Sequence, residues 1–234
     1  MLTIRKKESR GSTETDWLKS KHSFSFGHYY DTAHMGFGPL RVINEDWVIP
    51  AAGFDMHGHK NMEIITYALE GELAHKDSLG TGSVIRPGDV QMMSAGKGIL
   101  HSEFNNSPDE GVHLLQIWIM PDKMGTKPGY QQTAFPPGEM HNQFRLLVSK
   151  DGENGSLVMK QDARLYAAKL DAGRSLVFPM EGHRKYWLQA ARGSLDFQGQ
   201  SLDAGDGLAI EKEEGTLHIR AGTAAEVLLF DLPQ

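Results

Sequence analysis

Two short segments of the chain each place two metal-ligating side chains two residues apart. One is His57-x-His59 and the other, about forty residues later, is His101-x-Glu103. Residues i and i+2 of a β-strand point to the same face of a sheet, roughly 6.6 Å apart along the backbone. One pair can therefore supply part of a metal's coordination sphere, and a second pair on a neighbouring strand can complete it. Together the segments predict a site of three imidazoles and one carboxylate.

The chemistry of this ligand set narrows the identity of the metal only in part. Three imidazoles and one carboxylate without sulfur suit Fe(II), Mn(II), Co(II), Ni(II), Cu(II) or Zn(II). Four protein ligands on an octahedral ion leave two positions open, room for a bidentate substrate or for a substrate plus dioxygen, whereas a closed tetrahedral zinc site would be structural. A single His-x-His in a β-protein is more often a solvent-facing alternation than a ligand pair. It is the second pair that favours a metal site.

Composition and charge exclude several classes of function. The chain of 234 residues is 39% hydrophobic and 23% charged, as in ordinary globular proteins, and its net charge of −6 argues against direct binding of nucleic acid. It has no cysteine, which excludes disulfides, thiolate metal ligands and a cysteine nucleophile. The opening segment MLTIRKKESRGSTETDW lacks an apolar core of signal-peptide length, and no stretch approaches a membrane span. We therefore expect a cytoplasmic protein that does not contact a membrane.

Short apolar or alternating segments recur along the chain, separated by Gly, Pro, Asp and Asn. Examples are MEIITYALEGELAHKD, VHLLQIWIMP and AEVLLFDLP. Enrichment in Val, Ile, Phe, Tyr and Trp, with turn residues every eight to twelve positions, predicts an all-β barrel or sandwich. The segment HSFSF at residues 22–26 also alternates as a strand should, so Phe24 and Phe26 would share a strand face. For these two rings, packing in the core is favoured over stacking on a substrate.

The second half of the chain weakly repeats the first. The segments EGELAHKDSLGTGSVIRPGDVQMMSAGKG and RGSLDFQGQSLDAGDGLAIEKEEG share an order of strands, loop and Gly-Asp turn, which predicts two β-barrels of one type in tandem. We expect domains at residues 1–130 and 131–234, joined through the Pro- and Gly-rich stretch PDKMGTKPGYQQTAFPPGEMHNQ. The second half has no paired ligands, since His183 and His218 each stand alone. We therefore expect the metal site in the N-terminal domain and none in the C-terminal domain.

Three segments carry a resemblance to a known family. They are WLKSKHSFSFGHYYDTAHMGFGPLRVINED at residues 17–46, the strand with the paired histidines, and MSAGKGILHSEFN at residues 93–105. Through these segments the chain resembles the pirins, bicupin proteins of the cupin superfamily, over essentially its full length. The resemblance implies an all-β bicupin fold, with two double-stranded β-helix barrels in tandem.

The same resemblance implies one metal, bound in the N-terminal barrel by two histidines of the first motif and by a His and a Glu of the second. On this chain the ligands would be His57, His59, His101 and Glu103, the same four that the strand periodicity indicates. Many pirins have proline between the first two histidines, where this chain has Gly58. Glycine loosens the backbone there but leaves the i, i+2 geometry intact.

Glu63 competes with Glu103 for the role of carboxylate ligand. Cupins often take a glutamate from the first motif, and Glu63 stands at that spacing, four residues after His59. By strand parity Glu63 would also face the barrel interior. The pirin pattern favours Glu103 and leaves Glu63 as a carboxylate behind the ligands or a structural one.

The chain is most similar to bacterial pirins with quercetin 2,3-dioxygenase activity. This resemblance implies an oxidoreductase, with iron as the first choice of metal, that opens the heterocycle of quercetin or a related flavonol with dioxygen and releases carbon monoxide. Glu103, or failing that Glu63, would accept the proton of the 3-hydroxyl group as general base. No organic cofactor is implied. The alternative is a pirin-type co-regulator or sensor that binds metal and acts through protein partners without catalysis; an isomerase or decarboxylase is a weaker third option.

Overall fold

The computed structural model describes residues 1–234, with 58% of them in strands and 4% in helices, so the all-β prediction is confirmed. The strands are β1 (Leu2–Arg5), β2 (Gly11–Glu14), β3 (Leu18–His22), β4 (Leu40–Val48), β5 (Gly53–His59), β6 (Glu63–Glu70), β7 (Leu73–Asp77), β8 (Gly82–Ile85), β9 (Asp89–Ser94), β10 (Ile99–Asn105), β11 (Val112–Ile119), β12 (Gly129–Ala134), β13 (Arg145–Ser149), β14 (Leu157–Val158), β15 (Arg164–Leu170), β16 (Ser175–Met180), β17 (Arg184–Arg192), β18 (Ser194–Phe197), β19 (Gln200–Asp203), β20 (Gly207–Glu211), β21 (Gly215–Ala221) and β22 (Ala225–Pro233). One short helix, α1, spans Pro137–Met140, and 3-10 turns lie at Lys7–Ser9 and Glu153–Gly155. No helix of this structure has the length and the apolar composition that a membrane crossing requires.

The chain divides into two compact units. The first unit comprises residues 11–135 and 157–161, and the second comprises residues 1–10, 136–156 and 162–234. A single domain boundary after residue 130 does not describe two exchanged segments. The first ten residues of the chain belong to the second unit, and the segment 157–161 belongs to the first unit. Neither exchange has a compositional signal in the sequence.

In the first unit a large sheet packs against a small one. The large sheet has the strand order β12-β9-β6-β11-β4-β3-β2, and the small sheet has the order β5-β10-β7-β8. Alternating apolar residues on the facing sides meet in a core that includes Leu18, Val48 and Leu114 from the large sheet and Leu73 and Ile85 from the small one. Burial of these side chains, at about 25 cal/mol per Å² of apolar surface, holds the sheets together.

The second unit repeats this arrangement. The strands β1, β20, β17, β22, β15 and β13 follow one another in its large sheet, and β16, β21, β18 and β19 in its small sheet. Its interior is filled by apolar side chains from both sheets, among them Phe178, Tyr186 and Leu217. The prediction of two barrels of one type is therefore confirmed. Two histidines of this unit that stand alone in the sequence, His183 and His218, are both exposed.

One transverse row of polar residues crosses the large sheet of the first unit, and we call it the polar row. The strand register pairs His22 with Asn44, Asn44 with Gln116, Gln116 with Thr66, and Thr66 with Gln91. All five side chains are buried. Because directly opposed residues on neighbouring strands point to the same face, these five form one band on the sheet. Buried polar groups need hydrogen-bond partners. Some partners lie within the row, as between His22 and Asn44 and between Thr66 and Gln91, and others lie on the facing sheet.

Candidate metal centre

The four candidate ligands come together on strands β5 and β10 of the first unit's small sheet. These strands are antiparallel neighbours, and His57 lies directly opposite His101. One ring nitrogen from each of His57, His59 and His101 lies within 4.8 Å of the others. Nε2 of His101 is 3.8 Å from Oε2 of Glu103, two residues further along β10. The structure thus brings the three imidazoles together, with the carboxylate of Glu103 beside His101.

The glycine at the start of β5 allows these strands to approach each other. A Cβ atom on Gly53 would lie 2.2 Å from the carbonyl oxygen of Glu103 and 2.5 Å from Cα of Phe104, which is too close for any side chain. His101 lies opposite His57 but Glu103 lies opposite Phe54, so the pairing has one extra residue on β5, whereas β10 keeps a regular register with β7. Gly58, between the paired histidines, has an ordinary strand conformation. The i, i+2 geometry survives at Gly58, as expected.

The burial of His101 is the feature that fits a metal. Its side chain is 1% exposed, and neither ring nitrogen has a hydrogen-bond partner. A buried polar group without a partner is costly, and a metal ion would supply the missing interaction at one nitrogen. Desolvation, helped by His57 and His59, lowers the pKa of His101 to about 2. Burial also lowers the pKa of His59 to about 4, so both rings are neutral at pH 7, as metal ligands must be.

The tautomer of His57 also leaves a nitrogen for a metal. Its Nδ1–H donates to the carbonyl oxygen of Asp55 at 2.7 Å, so Nε2 carries the free lone pair. A hydrogen bond on the second ring nitrogen is the usual way in which a protein orients a ligating histidine.

A further histidine close to the site, His75, is buried and was not anticipated from the sequence. Its Nε2–H donates to Oδ2 of Asp77 at 3.1 Å, and its Nδ1 accepts from the amide of Gln91 at 2.9 Å. Although His75 lies within 4.8 Å of the ligand atoms of His101 and Glu103, both of its nitrogens are occupied. We therefore exclude it as a metal ligand. The signal was present, since His75-x-Asp77 has the same i, i+2 spacing as the other pairs.

Glu103 is held by the polar row of the facing sheet. Nε2 of Gln116 donates to its two carboxylate oxygens at 3.1 and 3.2 Å. The side chain is buried, and desolvation raises the pKa of Glu103 to about 7 despite the opposing effect of this amide. A carboxyl group with a pKa near neutrality can exchange a proton readily at pH 7. Gln116 is thus a further site residue that sequence reasoning missed.

The expectation that Glu63 faces the barrel interior is wrong. Its Oε2 accepts hydrogen bonds from the hydroxyl group of Ser94 at 2.7 Å and from the backbone N–H of Lys160 at 3.0 Å, away from the histidines. The reason is a change of sheet between His59, which ends β5, and Glu63, which begins β6. Asn61, with φ of 53°, turns the chain there and breaks the strand alternation on which the expectation rested.

A cavity of about 210 Å³ opens beside the candidate ligands. Its aromatic walls are Phe26, Phe54 and Trp118, and Phe26 meets Trp118 edge-on with ring centroids 5.4 Å apart. Strand β3 ends at His22, so the expected strand through Phe24 and Phe26 does not form. Phe24 is instead a core residue, whereas Phe26 lines the cavity. The full set of lining residues is Thr13, Leu18, Ser20, His22, Phe26, Asn44, Asp46, Phe54, His57, His59, Glu103, Gln116 and Trp118.

Comparison with known proteins bears on both units. The sequence matches the Pirin family over residues 3–119 and the family described as Quercetinase C-terminal cupin domain over residues 146–232. A relative from Escherichia coli (strain K12), named quercetin 2,3-dioxygenase, is 43% identical over 233 residues and covers 100% of this chain and 99% of its own. A pirin-like protein from Caulobacter vibrioides is 40% identical over 222 residues, with 94% of this chain and 95% of its own covered.

Among solved structures, the bacterial pirin YhhW from Escherichia coli in complex with nickel(II) superimposes with a TM-score of 0.94. It is 43% identical and the match covers 100% of this chain and 99% of that one. Half of the sequence matches the Pirin family, and relatives at this identity align with it from end to end. The chain therefore belongs to the pirin family.

Proposed function

We propose that this protein is a metal-dependent dioxygenase that cleaves quercetin or a related flavonol with dioxygen. One divalent ion per chain would be held by His57, His59, His101 and Glu103, with Fe(II) as our first choice. The observation that carries the proposal is His101, a buried imidazole with no hydrogen-bond partner at either nitrogen, which lies close to His57 and His59 and to the carboxylate of Glu103.

A bound divalent ion would act as a Lewis acid toward the enol oxygen of the substrate. The chain itself supplies the base. Glu103 lines the cavity, where its carboxylate would be placed to accept the proton of the flavonol 3-hydroxyl group. Gln116 holds that carboxylate in one orientation through the amide that spans both oxygens. Glu63 does not compete for this role, because its side chain is turned toward Ser94 and Lys160.

The cavity suits a planar aromatic substrate. Phe26, Phe54 and Trp118 supply flat apolar surface, and the four candidate ligands lie along the same cavity or immediately behind it. Small-molecule sites are usually of this kind, mostly apolar with a few convergent polar groups. The names of the relatives support the same substrate class, since the first of them is a quercetin 2,3-dioxygenase.

The test is to follow quercetin and dioxygen together. Protein stripped with a chelator and reloaded with Fe(II), Mn(II), Co(II) or Ni(II) should consume both at equal rates, measured by loss of the flavonol's visible absorbance and with an oxygen electrode. The chelated protein should be inactive. Metal content measured on the same samples should correlate with the rate.

Two histidine variants provide the control. His101→Ala should lose both metal and activity, because it removes one of the four candidate metal ligands. His183→Ala changes an exposed histidine of the second unit and should retain both. Stoichiometric metal without oxygen uptake across several flavonols would refute the enzyme proposal and favour a metal-binding role exercised through protein partners.

A further inference from the structure

The wall of the cavity that belongs to the large sheet carries two polar side chains that are not candidate ligands. Asn44 and Asp46 both lie on β4, two residues apart, and therefore share one face of the strand. Each is only 3% exposed. They lie on the sheet opposite the one that carries the histidines.

Each of these two side chains has one hydrogen-bonding atom engaged and one not. Oδ1 of Asn44 accepts from Nδ1 of His22 at 2.8 Å, and Oδ1 of Asp46 accepts from the hydroxyl group of Ser20. The amide nitrogen of Asn44 and the second oxygen of Asp46 make no hydrogen bond within the protein. His22 and Ser20 thus hold the two side chains in place. The amide of Asn44 remains as a donor for a ligand, and the second oxygen of Asp46 remains as an acceptor.

We infer that Asn44 and Asp46 determine specificity by binding a hydroxyl group of the substrate other than the one at the metal. The inference rests on the proposed function and names its substrate class more closely: aromatic enols with at least one further hydroxyl group. A hydroxyl group both donates and accepts, so one such group can accept from the Asn44 amide while it donates to the Asp46 carboxylate. If the carboxyl group of Asp46 is protonated, the substrate hydroxyl group can instead accept a hydrogen bond from it.

An aromatic compound without this hydroxyl group would fill the cavity but leave both polar atoms desolvated. Unsatisfied buried groups cost affinity, and sites built around a substrate hydroxyl reject analogues that lack it. We expect a preference of about tenfold, the effect of roughly one lost hydrogen bond.

The first measurement uses the wild-type protein loaded with Ni(II) in the absence of oxygen, so that no turnover occurs. Quercetin and 3-hydroxyflavone are titrated separately and followed by quenching of tryptophan fluorescence, to which Trp118 in the cavity wall contributes. Both compounds have the 3-hydroxyl and 4-keto groups, but only quercetin has further hydroxyl groups. Quercetin should bind about tenfold more tightly, and equal affinities would overturn the inference.

The second measurement assigns the preference to these residues. Asn44→Leu and Asp46→Leu are nearly isosteric and should each remove most of the preference for quercetin, while affinity for 3-hydroxyflavone stays within about twofold of wild type. Metal content should not change. Asn44→Ala and Asp46→Ala measure the same contacts if a leucine variant fails to fold, because a truncated side chain can be replaced by water.

Different results would refute the specificity assignment and the proposed function. If metal-loaded wild type binds both flavonols and the variants keep the wild-type preference, the specificity assignment is wrong but the proposed function stands. If metal-loaded wild type binds neither compound, the proposed function is refuted and the specificity assignment with it.

Discussion

Gln116 offers a direct test of how the large sheet supports the candidate metal centre. Its amide donates to both oxygens of Glu103 at 3.1 and 3.2 Å, inside a barrel where that carboxyl group is 3% exposed. Gln116→Leu keeps the volume and removes the donor. Hydrogen bonds to charged groups contribute about 1.5–3 kcal/mol, and groups that orient metal ligands typically affect affinity by about 10–100-fold. We therefore expect the variant to bind Ni(II) about 10–100-fold more weakly than wild type.

The assay is competition with a chromogenic chelator, at several pH values. Desolvation already raises the pKa of Glu103 to about 7, and removal of the amide should raise it further. Because protons then compete more strongly with the metal, the difference between variant and wild type should grow as the pH falls from about 8 to 6.

Gln189→Leu is the matched control for this prediction. Gln189 is also a buried glutamine, but it lies in the second unit and donates to the carbonyl oxygen of Asp206 at 3.1 Å. Its replacement should lower the thermal stability and leave metal affinity unchanged. A folded Gln116→Leu protein with wild-type affinity at every pH would refute the reasoning that this amide supports the ligand.

Three further predictions concern the candidate ligands and the cavity wall. His101→Ala should weaken metal binding by more than about 100-fold, because loss of a ligand exceeds the loss of an orienting group; equilibrium dialysis checks this, and unchanged stoichiometric binding would contradict it. Glu103→Gln should weaken metal binding or abolish flavonol oxidation, whereas Glu63→Gln should keep its metal; reversed results in metal analysis would move the site to Glu63. Burial raises the pKa of Asp46 from 3.8 to about 7, so the folded state favours the protonated form of this carboxyl group. The stability that results is complete below pH about 4 and is lost as the pH rises to about 7. Asp46→Asn should therefore stabilise the metal-free protein at pH 8, by at most about 4 kcal/mol, but not at pH 4; urea denaturation showing the same difference at both pH values would contradict this.

The candidate ligands could be predicted from sequence because they depend on short-range geometry. His57 and His59 share a strand face whatever the rest of the fold does, and the same is true of His101 and Glu103. The prediction for Glu63 failed because it extended that alternation through the turn at Asn61, where the chain changes sheet. Parity holds only within one strand.

The polar row could not be predicted in the same way. Its members come from five strands, and His22 and Gln91 are separated by almost seventy residues of sequence. Each isolated polar residue looks like an ordinary outward-facing one, and only the register of all five strands shows that they line up inside the barrel. The roles of Gln116 and Asn44 therefore depend on long-range pairing, which the local pattern of residues does not contain.

The pairing of β1 with β20 in the second unit has a consequence for biosynthesis. Leu2 pairs with Ile210, so β1 leaves the ribosome long before its partner β20 has been made. At about 5–20 residues per second, the delay is roughly 10–40 seconds. Every residue of the first unit has been synthesised once residue 161 is added, so folding of this unit can begin while translation continues. The candidate metal centre would thus be synthesised before the second unit is complete, with β1 unpaired until β20 emerges.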